Sequence, residues 1–273
     1  MKKDRFITSI FNYCDYWCDR CPFTQRCRNY SMGQAMEAKL KQPNADATNQ
    51  AFWENLADQL SDASVINALS KDSDGNSDDF HLENELDTLA EQEELSAFME
   101  KEEARRKAVD NHLLMRLAMD YMKQTEEWLK NSEGELKKLA ATWLEAAPSD
   151  DTCDYEELAR KIGDMIEVII WYHTLLYPKL GRALRSILDK EDDFQEVDRY
   201  DANGTGKLVL ISVERSIAAW LFLREHLPQL EESILENLIT LGRTRDGVNT
   251  VLPDAKAFKR PGFDTEPSLL SGR

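Results

Sequence analysis

Residues that interrupt helices are scarce in this sequence, with 11 glycines and 8 prolines among 273 residues. Together they make up about 7% of the chain, against about 12% in average usage. β-Sandwiches and barrels need many tight turns, and no segment sustains the apolar–polar alternation of a strand. The scarcity of turns therefore predicts an all-α protein. Apolar residues form 42% of the chain, which is enough to build a core and excludes wholesale disorder.

Long apolar runs and an excess of positive charge are also absent. No stretch approaches the roughly 18 apolar residues of a membrane span, and the patch from Phe6 to Phe11 is too short for a secretory signal. We therefore expect a cytoplasmic protein. The net charge of −17 argues against a nucleic-acid or anionic-membrane surface. The expected partner is a protein, such as a redox partner, and nothing in the sequence indicates the oligomeric state.

Helical periodicity predicts a bundle over residues 80–241. No proline or glycine occurs over 80–132, so one long helix or two helices in tandem are expected there. Later helices are expected over 134–147, 154–190, 206–226 and 228–241, with Asp151 or Thr152 capping the second of these. A turn is expected at 203–206. One apolar stripe lies near the end of the first stretch: Leu114, Leu117, Tyr121 and Trp128. The longest stripe belongs to the 154–190 helix: Leu158, Ile162, Met165, Ile169, His173, Leu176, Leu180, Leu184 and Ile187.

Four regions follow from these patterns. Residues 1–33 form a cysteine-rich segment, and residues 34–79 contain short helices and an acidic linker. Residues 80–241 form the helical bundle, and residues 242–273 form an irregular C-terminal tail. The predicted fold is thus an all-α bundle with an N-terminal metal-binding extension.

Four of the five cysteines lie close together, at Cys14, Cys18, Cys21 and Cys27, whereas Cys153 stands alone. Clustered thiols in a reducing compartment serve metals or catalysis more often than disulfides. In a helical turn the first three would share one face. Pro22 would end that turn and let the chain bring Cys27 back as a fourth ligand.

The short spacing of these cysteines bears on the identity of the metal. Structural zinc sites generally use two cysteine pairs separated by a longer loop, whereas cubane clusters are held by closely spaced cysteines. We therefore expect one [4Fe–4S] cluster bound by all four cysteines. Zinc (Zn²⁺) is the alternative, and free or disulfide-bonded thiols are a third. Nearby aromatic side chains could shield a cluster from water: Tyr13, Tyr16, Trp17, Phe23 and Tyr30.

The stretch Cys18-Asp-Arg-Cys21-Pro-Phe-Thr-Gln-Arg-Cys27-Arg-Asn-Tyr30 resembles the cysteine segment of WhiB-like iron–sulfur regulators. The resemblance implies that Cys18, Cys21 and Cys27 bind a [4Fe–4S] cluster sensitive to oxygen and nitric oxide. The first cysteine of that family lies much further upstream than Cys14 does here. The glycine-rich turn and the basic DNA-binding tail of the family are missing, so the resemblance concerns the cluster and not transcription.

Cys14, Cys18 and Cys21 also match the three-cysteine pattern of radical SAM enzymes. Those enzymes leave one iron open for their cofactor and are built on a βα barrel. Cys27 can close the fourth position here, and no strand–helix alternation follows. We therefore do not assign the chain to that class.

Polar residues inside the predicted bundle suggest a second site. His173 lies within the longest apolar stripe, and Glu214 lies among Leu210, Ile217 and Leu221. If their helices were neighbours, these two residues could form a metal or acid–base site in the core, joined by Glu167, Asp120 or Glu127. No Glu-x-x-His pair of the di-iron type is present in the bundle. A simple His–Glu hydrogen bond, or a Glu214 on the rim beside Arg215, is the interpretation that we favour over a metal site.

The sequence predicts a metal-binding helical protein that carries one [4Fe–4S] cluster for electron transfer or redox sensing. One alternative is a bundle oxidoreductase with a second site near His173 and Glu214. Another is a protein-interaction module held together by zinc. Acidic loops with partial calcium-site spacing, at 72–83 and 201–212, are interpreted as a linker and a turn, because essential ligand positions are not filled.

Overall fold

The computed structural model describes residues 5–40, 89–146, 154–188 and 195–264. Within these ranges all regular structure is helical, which confirms the all-α prediction. The α-helices are α1 (Arg28–Leu40), α2 (Leu89–Asp110), α3 (Leu113–Ala146), α4 (Tyr155–Leu188), α5 (Gln195–His226) and α6 (Glu231–Val251). Short 3₁₀-helices cover Ile10–Tyr13, Cys18–Arg20, Thr24–Arg26, Pro228–Leu230 and Ala255–Ala257. Among the described helices, none has the length and apolarity needed to cross a membrane.

The chain divides into two compact units. The first comprises residues 1–7 and 18–98, and the second comprises residues 8–17 and 99–273. The N-terminal segment of the sequence prediction is therefore shared between the units: residues 8–17 belong to the unit that holds the bundle, whereas Cys18, Cys21 and Cys27 belong to the other.

Helices α3 to α6 form a four-helix bundle within the second unit. α4 packs against α3 and α5, and α6 packs against α5 and α3. Contacts between helix ends show that neighbours are antiparallel. Arg182 near the end of α4 meets Asp201 near the start of α5, and Leu114 at the start of α3 lies against Gly247 near the end of α6. Short connections favour this up-and-down arrangement.

The bundle core contains the stripes that the sequence predicts. On α4, Ile169, Leu176, Leu180 and Leu184 are at most 1% exposed. Leu114, Tyr121 and Trp128 of α3 are buried as well. Tyr121 accepts a 3.1 Å hydrogen bond from Nε1 of Trp220 on α5, whereas the buried Nε1 of Trp128 has no hydrogen-bond partner among the described residues.

The core-facing side of α5 differs from the one expected. Val209, Val213, Ser216, Trp220 and Leu223 form one continuous buried face at helical spacing, and further residues such as Leu208 and Leu210 are buried beside it. Glu214 is exposed, and Leu221 is 48% exposed. Leu210 is buried in the core at 4% exposure, and Ile217 is partly buried against it, so of the three apolar neighbours of Glu214 only Leu221 faces away from the core.

Over the described part of 80–132 the chain forms two tandem helices, α2 and α3, which is one of the two arrangements expected. The departure concerns the far end of α3. The helix runs unbroken through Gly134, where two helices were expected. It begins after a break at Asn111–His112, where Nδ1 of His112 accepts a 3.2 Å hydrogen bond from the backbone N–H of Leu114. His112 is therefore the N-cap residue of α3, a position that serine or aspartate usually occupies.

The caps of α4 and the extents of α5 and α6 also differ. Oδ1 of Asp154 accepts the N–H of Glu157 at 2.9 Å, so Asp154 caps α4, while Asp151 and Thr152 lie outside the described residues. α5 begins at Gln195, which makes the predicted turn at 203–206 helical. α6 continues to Val251, and the Ala255–Ala257 turn packs on α5. Residues 242–251 are thus helical rather than irregular.

Candidate metal-binding segment

Residues 8–17, here called the anchor segment, carry Cys14 and lie in the unit of the bundle. The segment starts with the 3₁₀-helix Ile10–Tyr13 and then becomes extended at Cys14, with φ −104° and ψ 163°. Tyr16 has a positive φ of 57°, a left-handed conformation that is uncommon for a residue other than glycine. The helical turn expected to align Cys14, Cys18 and Cys21 on one face is therefore not formed.

Tyr13 fixes one side of Cys14. Its side chain is 5% exposed, packs edge-on against Phe258 at a centroid distance of 5.1 Å, and donates a 3.2 Å hydrogen bond to Asp201. Arg182 donates through Nε to the same carboxylate at 2.9 Å. Burial and then the Asp201 charge raise the pKa of Tyr13 to about 12, so its hydroxyl remains a donor at neutral pH.

Asp15 fixes the other side of Cys14. Its Oδ2 accepts hydrogen bonds from Tyr172 at 2.7 Å and from Nη1 of Arg215 at 2.8 Å. Its backbone carbonyl accepts the indole N–H of Trp171 at 2.9 Å. Burial, followed by the hydrogen bond to Asp15, raises the pKa of Tyr172 to about 12. The indole of Trp17 stacks on that of Trp171, with centroids 5.0 Å apart.

Cys14 sits in positively charged surroundings. Its Sγ is partly buried and donates a 3.4 Å hydrogen bond to the carbonyl of Phe11. Lys179 on α4 is only 8% exposed, and its Nζ lies 4.4 Å from the ring centroid of Tyr16. Burial and the charge of Arg182 lower the pKa of Lys179, while the negative charge that Cys14 can carry opposes this shift.

The other three candidate ligands lie in the first unit, on short turns. Cys18 opens a 3₁₀-helix, and its carbonyl accepts the N–H of Cys21 at 3.1 Å. Cys27 directly precedes α1, and its Sγ accepts the N–H of Tyr30 at 3.5 Å. All three side chains are partly buried. The backbone N–H of Tyr30 is a donor that can stabilise negative charge on the sulfur of Cys27.

The structure does not form the predicted second site in the bundle core. His173 is 7% exposed, and its Nδ1 lies 2.7 Å from the carbonyl oxygen of Ile170, so it bonds to its own helix. Glu214 and Glu167 are exposed, as are Asp120 and Glu127. Among the residues that the structure describes, no group of three or more His, Cys, Asp or Glu side chains is arranged to hold a metal ion.

The residues that hold the anchor segment were not found from the sequence. Asp15, Lys179, Arg182 and Arg215 are ordinary charged residues in their local context. Asp15 and Arg215 are 200 positions apart, so no spacing pattern connects them. Cys153 and the acidic stretch 72–79 lie outside the described residues.

No protein-family model, no curated protein and no solved structure matches this chain. The WhiB-like resemblance of residues 18–30 therefore stays a prediction from the sequence.

Proposed function

We propose that Cys14, Cys18, Cys21 and Cys27 bind one [4Fe–4S] cluster that serves electron transfer or redox sensing. The close spacing of the four thiols supports a single centre. The observation that carries the proposal is the distribution of charge around Cys14, the ligand that lies beside the bundle.

Two of the three cations described around the anchor segment, Arg182 and Arg215, are each paired with a carboxylate. Asp15 pairs with Arg215, and Asp201 pairs with Arg182. Within the described ranges no carboxylate lies within salt-bridge distance of Lys179, which is almost fully buried. A buried cation is unfavourable unless a negative charge compensates it.

A thiolate at Cys14 would supply that compensating charge. The thiolate, not the thiol, is the form of cysteine that binds metals, and nearby Lys and Arg side chains favour it. A cubane cluster held by four thiolates carries net negative charge as a whole. Lys179 and Arg182 therefore suit a thiolate-bound centre better than a neutral thiol.

Metal and sulfide analysis of the anaerobically purified protein tests the proposal. We expect about four iron and four sulfide per chain, with the brown visible absorption of a cubane cluster. Cys14→Ser should lose this absorption, while Cys153→Ser, the matched control, should retain it. One zinc per chain without colour would overturn the cluster and favour the zinc-bound module instead.

The role of the local charge can be tested separately. Lys179→Met removes the buried cation, so the oxidised, less negative cluster should be favoured and the reduction potential should fall. Lys137→Met changes the net charge equally but removes an exposed side chain paired with Glu133. An equal change in reduction potential in both variants would contradict a local effect of Lys179.

A further inference from the structure

Asp15 accepts hydrogen bonds through both its side chain and its backbone carbonyl, from residues on two helices. Tyr172 and Trp171 contact it from α4, and Arg215 contacts it from α5. Arg215 also donates to the hydroxyl of Tyr172, so the three polar side chains form a closed set. In addition, Oδ1 of Asp15 accepts a 3.3 Å hydrogen bond from the backbone N–H of Trp17.

Cys14 has little freedom between its two neighbours. Tyr13 is buried before it, Asp15 is bonded after it, and the carbonyl of Asn12 accepts a hydrogen bond from Arg182 at 3.4 Å. The positive φ of Tyr16 carries a conformational cost on the order of 1 kcal/mol or more, which persists only where surrounding contacts enforce it. The contacts of Asp15 and Trp17 on either side of Tyr16, and that of Lys179 with its ring, help to enforce it.

We propose that Asp15, Tyr172 and Arg215 are positioning residues that hold Cys14 ready for metal coordination and couple its metal-bound state to α4 and α5. This inference rests on the proposed role of Cys14 as a ligand, but not on the identity of the metal. Groups that orient a metal ligand without touching the metal commonly change metal affinity when they are removed. A ligand fixed before binding also loses less conformational freedom on binding.

The coupling must act in both directions. If an intact network raises metal affinity, then metal binding strengthens the network by the same factor. Arg215 is about half exposed, with 52% of its side chain accessible. The metal-bound state of Cys14 would therefore change the ordering of a group that a partner protein can reach on α5.

Cobalt(II) binding to the metal-free protein tests this inference for either type of native centre. Thiolate coordination of cobalt(II) gives a charge-transfer absorption that reports its affinity directly. We expect Asp15→Asn and Arg215→Met each to weaken binding about tenfold or more, the range found when residues behind metal ligands are removed. Arg224→Met is the matched control, because Arg224 lies on the same helix and pairs with Glu231 at the surface.

Two further readouts separate positioning from general stability. The double variant Asp15→Asn/Arg215→Met should lose little more affinity than either single variant, because both changes break one unit. Cobalt should also slow amide exchange around residue 215 in the wild type but not in Asp15→Asn. Tyr172→Phe, which keeps the ring, is the variant to use if Arg215→Met does not fold.

The outcomes distinguish the two proposals. If zinc is the native metal, the cluster proposal is overturned, but the cobalt experiment remains valid. A wild-type protein without the cobalt–thiolate absorption would overturn the ligand role of Cys14 and the positioning network together. Cobalt affinity that is equal in the wild type, Asp15→Asn and Arg215→Met would overturn the network alone.

Discussion

At the scale of single residues, Gly204 is a position where tertiary packing requires glycine inside a helix, although the local sequence predicts a turn. A Cβ at this position of α5 would lie 2.6 Å from Cδ1 of Tyr13 and 2.9 Å from Cζ of Phe258. Real Cβ atoms do not approach other atoms so closely. The glycine is therefore needed for the anchor segment to lie against α5, although glycine inside a helix is intrinsically unfavourable.

We predict that Gly204→Ala and Gly134→Ala have opposite effects on stability. The new methyl group at 204 would push against the Tyr13 and Phe258 rings and should lower the free energy of unfolding by about 1–3 kcal/mol. At Gly134, an exposed helical position with nothing within 4 Å of the added Cβ, alanine should raise it by about 0.5–1 kcal/mol. Urea denaturation measures both, and stabilisation by Gly204→Ala would show that the anchor segment does not pack there.

At the scale of elements, the sequence located helices better than their ends. The α4 stripe could be predicted because its apolar members repeat at helical spacing. Six of its members are buried in the structure. The start of α5 was missed because Asn203, Gly204 and Gly206 read locally as a turn, whereas contacts with residues far away in the sequence make the glycines necessary. The cysteines were found because their spacing is local, and the Asp15 network was missed because its partners are distant.

The break between α2 and α3 depends on the protonation of His112. Its Nδ1 must be unprotonated to accept the N–H of Leu114, and burial lowers the pKa of His112. The folded protein thus binds this proton less readily than the unfolded chain, whose histidine pKa is about 6.5. The cap contributes fully above that pH, and its contribution is lost as the pH falls through the lowered folded value.

We predict that His112→Asn makes the protein less sensitive to mild acid. Asparagine caps helices without titrating, so the fall in unfolding free energy between about pH 7.5 and pH 5 should be smaller than in the wild type. His112→Ala lacks any cap and should be less stable by about 1 kcal/mol at the higher pH. Urea denaturation at both pH values gives these differences, and equal pH sensitivity in wild type and His112→Asn would refute the capping role.

At the scale of the whole molecule, the two units have different sources of order. The second unit contains the bundle, with a large buried core that includes Trp220, Tyr121 and Leu180. The described part of the first unit, by contrast, has no fully buried side chain. If this segment binds the proposed metal, its stability would depend on that metal far more than the stability of the bundle would.

This difference leads to a prediction about Cys21→Ser. The substitution should abolish metal binding and destabilise residues 1–33, because a cluster missing one thiolate loses the free energy that orders its ligands. The helical content of residues 80–241 should remain nearly intact, since the core of α3 to α6 contains no cysteine. Circular dichroism, metal analysis and limited proteolysis compare this variant with Cys153→Ser, which should behave as the wild type.

Metal retained by Cys21→Ser would show that Cys21 is not a ligand. Loss of the whole helical signal would mean that the metal site stabilises the bundle as well, and that the two units fold as one.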